Sequence, residues 1–167
     1  MRILGLDVGE KNIGVAVSDP SGLTAQPLMT LRRRSREADL AALAALAREY
    51  GVEEVVVGLP LRLDGSPGPE AERVVRWARR LEAGLGLPVR YWDERLTTAA
   101  AERALLAADL SRRRRRRVVD RTAACLILQG YLDRRQVQGA HNEHGARPDP
   151  EGESASAGDV DRYNHQT

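Results

Sequence analysis

Three carboxylates stand where carboxylates are costly. Asp7 follows the apolar and small run Ile3 to Leu6 and precedes Val8. That places it at the carboxyl end of a buried strand, where an uncompensated charge costs several kcal/mol. Asp93 and Glu94 close a short strand and are followed by Arg95. Either acid can turn inward; the longer arm of Glu94 favours it, because it must reach across an intervening strand. Asp120 shares a helical face with Ala123, Ala124, Ile127 and Tyr131, so it lies on the packed side of its helix. Each has an ordinary reading as well: a turn cap or a partner of Arg or Lys11 for Asp7, a surface pair for Asp93 and Arg95, and a helix-dipole partner for Asp120. If all three converge, they repel one another unless a hard cation bridges them. An all-oxygen donor set suits Mg²⁺ or Mn²⁺. Two such ions ~4 Å apart hold both the attacking and the leaving oxygen of an in-line phosphodiester displacement.

Composition narrows the chemistry from the other side. The chain has 167 residues, one Cys and three His, and all three His (His141, His144, His165) fall after residue 139. The single Cys125 rules out an intrachain disulfide framework and a Cys-based zinc site. The body therefore lacks the residues for Ser–His or Cys–His nucleophilic catalysis and for His-ligated zinc. Its cations are nearly all Arg, 25 against one Lys. Residues 139–167 hold six acids and two Arg, a net charge of −4, which leaves +6 on residues 1–138. A basic body around an acidic centre suits a polyanionic substrate, since guanidinium groups pair with phosphates bidentately. No apolar run approaches the ~20 residues of a membrane span, and the N-terminus does not read as a signal peptide. A cytoplasmic protein is expected.

The elements that must position these acids follow from hydrophobic patterning. Residues 2–8 read as a central strand buried on both faces. Residues 13–19 alternate large and small, and pair with the first strand as a hairpin. Residues 24–32 form a weaker strand that Pro27 confines to an edge. A helix over 36–50 stops at Gly51. Residues 53–59 are a buried strand, and 60–69 a loop turning at Asp64-Gly65. Pro67 or Pro69 opens a helix that ends at Gly86. A strand over 88–93 follows, then a helix from Thr97 or Thr98 to about Ala108. The run Arg112 to Arg117 leads into a last helix, about 118–134. Residues 139–167 read as a disordered acidic tail, in which Val160 and Tyr163 are too few to make a core. The expectation is an α/β domain over 1–138. Its mixed five-stranded sheet has three antiparallel strands, then two parallel ones, with helices on both faces.

Four strings resemble one family in order along residues 1–134: GLDVGEKNIGVAVSD (5–19), VVVGLPLRLDGS (55–66), DERLTT (93–98) and VVDRTAACLILQGYL (118–132). They look like the YqgF/RuvX family of RNase H-like proteins, described as Holliday junction resolvases and as nucleases for the 5′ end of pre-16S rRNA. The resemblance implies an RNase H-like fold, and it places the family's acidic residues on Asp7, Glu94 and Asp120. The family's helix motif often has Lys before the Asp; Arg117 and its neighbours stand there, which keeps the charge. The resemblance also marks Gly58-Leu59-Pro60 and Asp64-Gly65, read here as a loop shaping the site edge.

The leading expectation is a metal-dependent nuclease acting on structured nucleic acid, either pre-rRNA or branched DNA. Lys11 and Asn12 in the first hairpin turn, Arg95, and Arg115, Arg116 and Arg117 are the expected substrate contacts, with Arg32 to Arg36 next in line. A non-catalytic nucleic-acid or ribosome-assembly factor competes, but a pure binder has no need of a buried acid cluster. A phosphotransferase of the actin and sugar-kinase type also competes, because DVGEKNIGVAVSD resembles its phosphate loop. That fold needs a second half to close over ATP. Resolution of a four-way junction would call for two sites on a symmetric homodimer.

Overall fold

The computed structural model describes residues 1–96, 112–143 and 158–164. Its elements run β1 (Arg2–Val8), β2 (Asn12–Ser18), β3 (Ala25–Arg32), α1 (Arg36–Tyr50), β4 (Val52–Leu59), α2 (Pro69–Leu85), β5 (Val89–Asp93), α3 (Arg112–Glu143) and α4 (Gly158–Asn164). The five strands make one sheet in the order β3-β2-β1-β4-β5. β1, β2 and β3 are antiparallel, while β1, β4 and β5 run parallel. The two crossovers carrying α1 and α2 impose the parallel pairs, and the tight turn at Gly9 imposes the first antiparallel one. β3 is the edge that Pro27 predicts, and Pro27 sits where the β2–β3 register slips between Val15 and Ala16. The helix expected over 97–108 lies outside the described residues.

The period-2 alternation of the strands divides the core into two. Leu4, Leu6, Val15, Val55 and Val57 face α1 and α2 and pack with Leu43, Val74 and Ala78. Ile3, Ala16, Val56 and Trp92 face α3 and pack with Ala124, Ile127, Leu128 and Leu132. α3 lies very close to the central strand. A Cβ at Gly5 would stand 2.7 Å from Leu128 Cβ and 3.0 Å from the Ala124 carbonyl oxygen, so only glycine lets helix and sheet meet here.

Two expectations need correction. The last helix is not confined to 118–134: it spans the 32 residues Arg112–Glu143. It takes in the backbone of the arginine run and passes the boundary expected at 138. Arginine is among the better helix formers, and that preference prevails over the repulsion of adjacent charges. The C-terminal segment is also not wholly without structure, since residues 158–164 form α4 against β5. Val160 is buried, and Tyr163 stacks at a tilt on Tyr91 with ring centres 5.7 Å apart. Asn164 mimics a neighbouring strand. Its Oδ1 accepts from the Tyr91 amide at 2.9 Å, its Nδ2 donates to the Tyr91 carbonyl at 3.3 Å, and its own carbonyl accepts from Arg90 at 2.9 Å. The open edge of β5 is thereby covered, as exposed edges usually are. Among the described residues, no helix is long and apolar enough to cross a membrane.

Candidate active site

β1 and β5 deliver the first two acids to the same end of the sheet, because both strands run parallel to β4 between them. Asp7 stands opposite Gly14 near the end of β1. By alternation with Ile3 and Gly5 it projects toward α3. Glu94 follows directly on the last residue of β5. The strand between them would normally block the way with a side chain. At that position β4 has Gly58, which pairs with Trp92. A Cβ at residue 58 would lie 2.6 Å from Glu94 Oε1, 2.9 Å from Glu94 Cγ and 2.6 Å from Ile127 Cδ1. The Glu94 arm therefore crosses the bare backbone of β4, flanked by Ile127 of α3. On the far side its carboxyl group shares a hydrogen bond with that of Asp7.

Such a pair cannot be fully ionised at modest cost. The Glu94 carboxyl is pushed up to about 8, first by burial, then by the charge and hydrogen bond of Asp7, with Glu70 and Asp93 adding repulsion. A cation between the two carboxyls would relieve the same repulsion. The donors are hard oxygens, which fit Mg²⁺ or Mn²⁺. Among the described residues no group of three potential ligands is assembled. Asp120 lies on α3 one helical repeat of seven residues before Ile127, and its side chain is outside the described residues. So are the side chains of Arg115, Arg116 and Arg117.

Asp93 and Glu94 part company. Asp93 is buried and held by Arg95, whose Nε lies 3.0 and 2.9 Å from its two oxygens and whose Nη2 lies 2.5 Å from Oδ2. The Arg95 amide adds a bond to Asp93 Oδ1 at 3.0 Å. The same guanidinium donates to the Leu63 carbonyl at 3.1 Å and packs over Gly65. In this structure Arg95, read from the sequence as a substrate contact, thus pins the 60–68 loop to the end of β5. That loop is braced internally by Asp64, which accepts from the Ser66 amide and hydroxyl at 2.9 and 2.6 Å. Gly58 lies inside β4, in keeping with the strand read over 53–59 and not with a loop at Gly58-Leu59-Pro60, and its missing side chain gives Glu94 its path.

Lys11 and Asn12 are exposed on the β1–β2 turn beside Asp7. Arg33 straps this turn, donating to the Gly9 carbonyl at 2.8 Å while its amide donates to the Lys11 carbonyl at 2.8 Å. Sequence reasoning missed one further polar group. Glu54, buried in β4, accepts the hydroxyl of Tyr131 and lies 3.5 Å from Arg135. The signal available was an acid in a strand whose neighbours are nearly all apolar.

Comparison with known proteins places this geometry. A family model described as RuvX, Holliday junction resolvase, matches residues 1–134, from the first residue of the sheet to within α3. A protein of Moorella thermoacetica named "Putative pre-16S rRNA nuclease" is 67% identical over 134 residues, which are 80% of this chain and 96% of that protein. One of the same name from Symbiobacterium thermophilum is 61% identical over 138 residues, 83% of this chain and 96% of its own length. T. thermophilus RuvC, solved in complex with a Holliday junction substrate, superposes with a TM-score of 0.53 at 15% identity, covering 82% of this chain and 96% of RuvC. The shared architecture is the RNase H-like sheet. α4 lies beyond the matched residues, whereas Asp7, Gly58, Glu94 and Asp120 all fall within them, and on that extent of agreement the chain belongs to the RuvX family.

Proposed function

We propose that the protein is a metal-dependent phosphodiester hydrolase of the cytoplasm that processes the 5′ end of pre-16S rRNA, with residues 1–138 as its catalytic unit. The observation that carries this reading is the Asp7–Glu94 pair, two half-buried carboxyls brought into hydrogen-bond contact across Gly58. The names of the relatives from M. thermoacetica and S. thermophilum point the same way. Asp7, Glu94 and Asp120 are the proposed ligands of two Mg²⁺ or Mn²⁺ ions. Bound there, such ions supply the Lewis-acid charge that in-line displacement at phosphorus requires. The protein's own part is positional. β1 and β5 hold their two carboxyls at fixed spacing, and Arg95 fixes the end of β5 through Asp93. Glu94 would have to give up its proton for such an ion to bind. Lys11, Asn12, Arg115, Arg116 and Arg117 hold phosphates around it, with Arg95 at the edge.

The family description favours a second reading, resolution of a Holliday junction, for which a homodimer would supply two sites. One experiment separates the two. Purified protein is assayed with Mg²⁺ or Mn²⁺ on a precursor rRNA 5′ leader and on a four-way DNA junction, beside Asp7→Asn. The expected result is cleavage of the leader that Asp7→Asn abolishes, with melting temperature and RNA affinity unchanged. Cleavage by Asp7→Asn at the wild-type rate would remove Asp7 from the site. Cutting of the junction alone would give the second reading, and no cutting of either would leave a binding factor.

A further inference from the structure

The sheet face opposite α3 carries a feature that the acidic site does not use. A cavity of about 720 Å³ opens between the start of α1 and the middle of α2, and begins at Val8 and Gly9, immediately after Asp7. Six arginines line it: Arg33, Arg34, Arg36, Arg73, Arg76 and Arg80. A second hollow of about 220 Å³ shares Arg36, Trp77 and Arg80 with it and carries the groove on toward Leu40 and Leu81. Three acids also line the larger cavity, Glu10, Asp39 and Glu70. Asp39 is already engaged: it is buried, accepts from the Arg34 amide at 3.0 Å, and lies 3.9 Å from Arg33. Glu70 lies close enough to the acidic pair for its charge to act on Glu94. Among the described residues, Arg34, Arg36, Arg73, Arg76 and Arg80 are exposed and none forms an ion pair.

Five like charges gathered around one groove repel one another, and a polyanion would relieve that repulsion. Their arrangement is also linear. Arg73, Arg76 and Arg80 follow the helical i, i+3, i+7 spacing, so they share one face of α2 at axial steps of about 4.5 and 6 Å. A point anion would use one or two of them, whereas a polyanion running along α2 would use all three. Trp77, half-buried between Arg76 and Arg80 in the smaller hollow, adds an aromatic surface of the kind on which a base can stack.

We propose that this α1–α2 groove binds the sugar–phosphate backbone of a single nucleic-acid strand and leads it to Asp7 and Glu94 from the side of the sheet away from α3. The assignment rests on the nuclease reading for its direction, but not for the binding itself.

The test therefore measures binding apart from cleavage. In the Asp7→Asn background, affinity for a short fluorescein-labelled single-stranded RNA is titrated over a range of salt at constant Mg²⁺. R73Q/R80Q is compared with R48Q/R79Q, which removes the same charge from exposed positions outside the groove. Each phosphate deprived of its arginine should reduce the slope of log affinity against log salt by about 0.7. The groove pair should thus lower the slope by up to about 1.4, and the control pair should leave it unchanged. R34Q/R76Q serves as an independent second pair, and melting temperatures check that all variants fold. A wild-type slope in both groove pairs, or an equal fall in the control, overturns the proposal. Cleavage by the Asp7-intact protein is scored separately. An altered slope without any cleavage would sink the nuclease reading and leave the groove standing, while cleavage with an unaltered slope would do the reverse.

Discussion

The crossing of Glu94 over Gly58 predicts the effect of one methyl group. In Gly58→Ala the new Cβ would lie 2.6 Å from Glu94 Oε1 and 2.6 Å from Ile127 Cδ1. Ordinary contact begins at about 3.5 Å, so each group must retreat by about 1 Å. These two are the far ends of flexible side chains, and the third close atom is Glu94 Cγ at 2.9 Å in the same arm. The backbone at 58 is not in the left-handed region, so the whole Glu94 arm must swing aside but the fold should yield rather than break. Overpacking of this kind costs about 1–3 kcal/mol, offset by about 0.4–1 kcal/mol from the stiffer unfolded chain. The net loss of about 0–2.5 kcal/mol should lower the melting temperature by no more than about 10 °C. Catalysis should suffer far more, because a 1 Å misplacement at a reacting centre costs on the order of 100-fold. The assay is single-turnover cleavage of the leader RNA at saturating Mg²⁺, beside thermal melting. Adding Ile127→Val removes the Cδ1 contact and should recover stability without recovering rate. A full wild-type rate in Gly58→Ala would show that Glu94 does not act from across β4. A rate restored by Ile127→Val would show that the loss was a matter of packing alone.

The acidic pair and α4 each carry consequences for stability. Glu94 holds its proton up to about pH 8, against an ordinary value of 4.5. Folding is therefore favoured by this group below pH ~4.5, and that contribution is lost as pH rises through 8, at no more than about 1.4 kcal/mol per unit. Metal-free protein should melt at falling temperature from pH 5 to about 8, and Glu94→Gln should flatten that fall; an unchanged pH profile would refute the pairing. Mg²⁺ should raise the melting temperature more at pH 8 than at pH 5, since one proton must leave as the ion binds. Truncation before Gly158 removes Val160, whose burial is worth about 1.5–3 kcal/mol, and uncovers the β5 edge. Melting should fall by several degrees and sedimentation should show association at high concentration; an unaltered melt would mean that α4 contributes nothing to the fold.

The sheet was legible because its signals are local. Alternation in β2, the continuous apolar run of β1, and Pro27 in β3 each report an environment through residues adjacent in sequence. α4 was not legible, because nothing within residues 158–164 announces a partner. Its Val160 and Tyr163 make no core of their own, and they are buried only because β5 offers an open edge and Tyr91 a ring to meet. A helix of seven residues has no stability apart from its docking, so the decisive information lay about seventy residues away. The arginine run misleads for the opposite reason. Adjacent like charges suggest a connector, but each arginine also favours the helix, and the backbone of α3 runs through all of them.

The site divides along the same line. Asp7 and the Asp93-Glu94 pair stood out because a charge at the end of an apolar strand is anomalous wherever it lies. Which of the two acids turns inward depends on what each meets, and that is a matter of register. Asp93 finds Arg95 two residues on and is neutralised on its own side of the sheet. The charges that act most on Glu94 are all acidic: Asp7, Glu70 and Asp93. Its path exists because β4 places its one glycine beside Trp92. A glycine in a buried strand usually weakens it. Here that weakness allows two carboxyls on non-adjacent strands to touch, and the resulting repulsion is the part of the site that a cation would relieve. The strain at the acidic pair and the empty side-chain position at Gly58 are therefore one feature, spread over three strands that only the fold brings side by side.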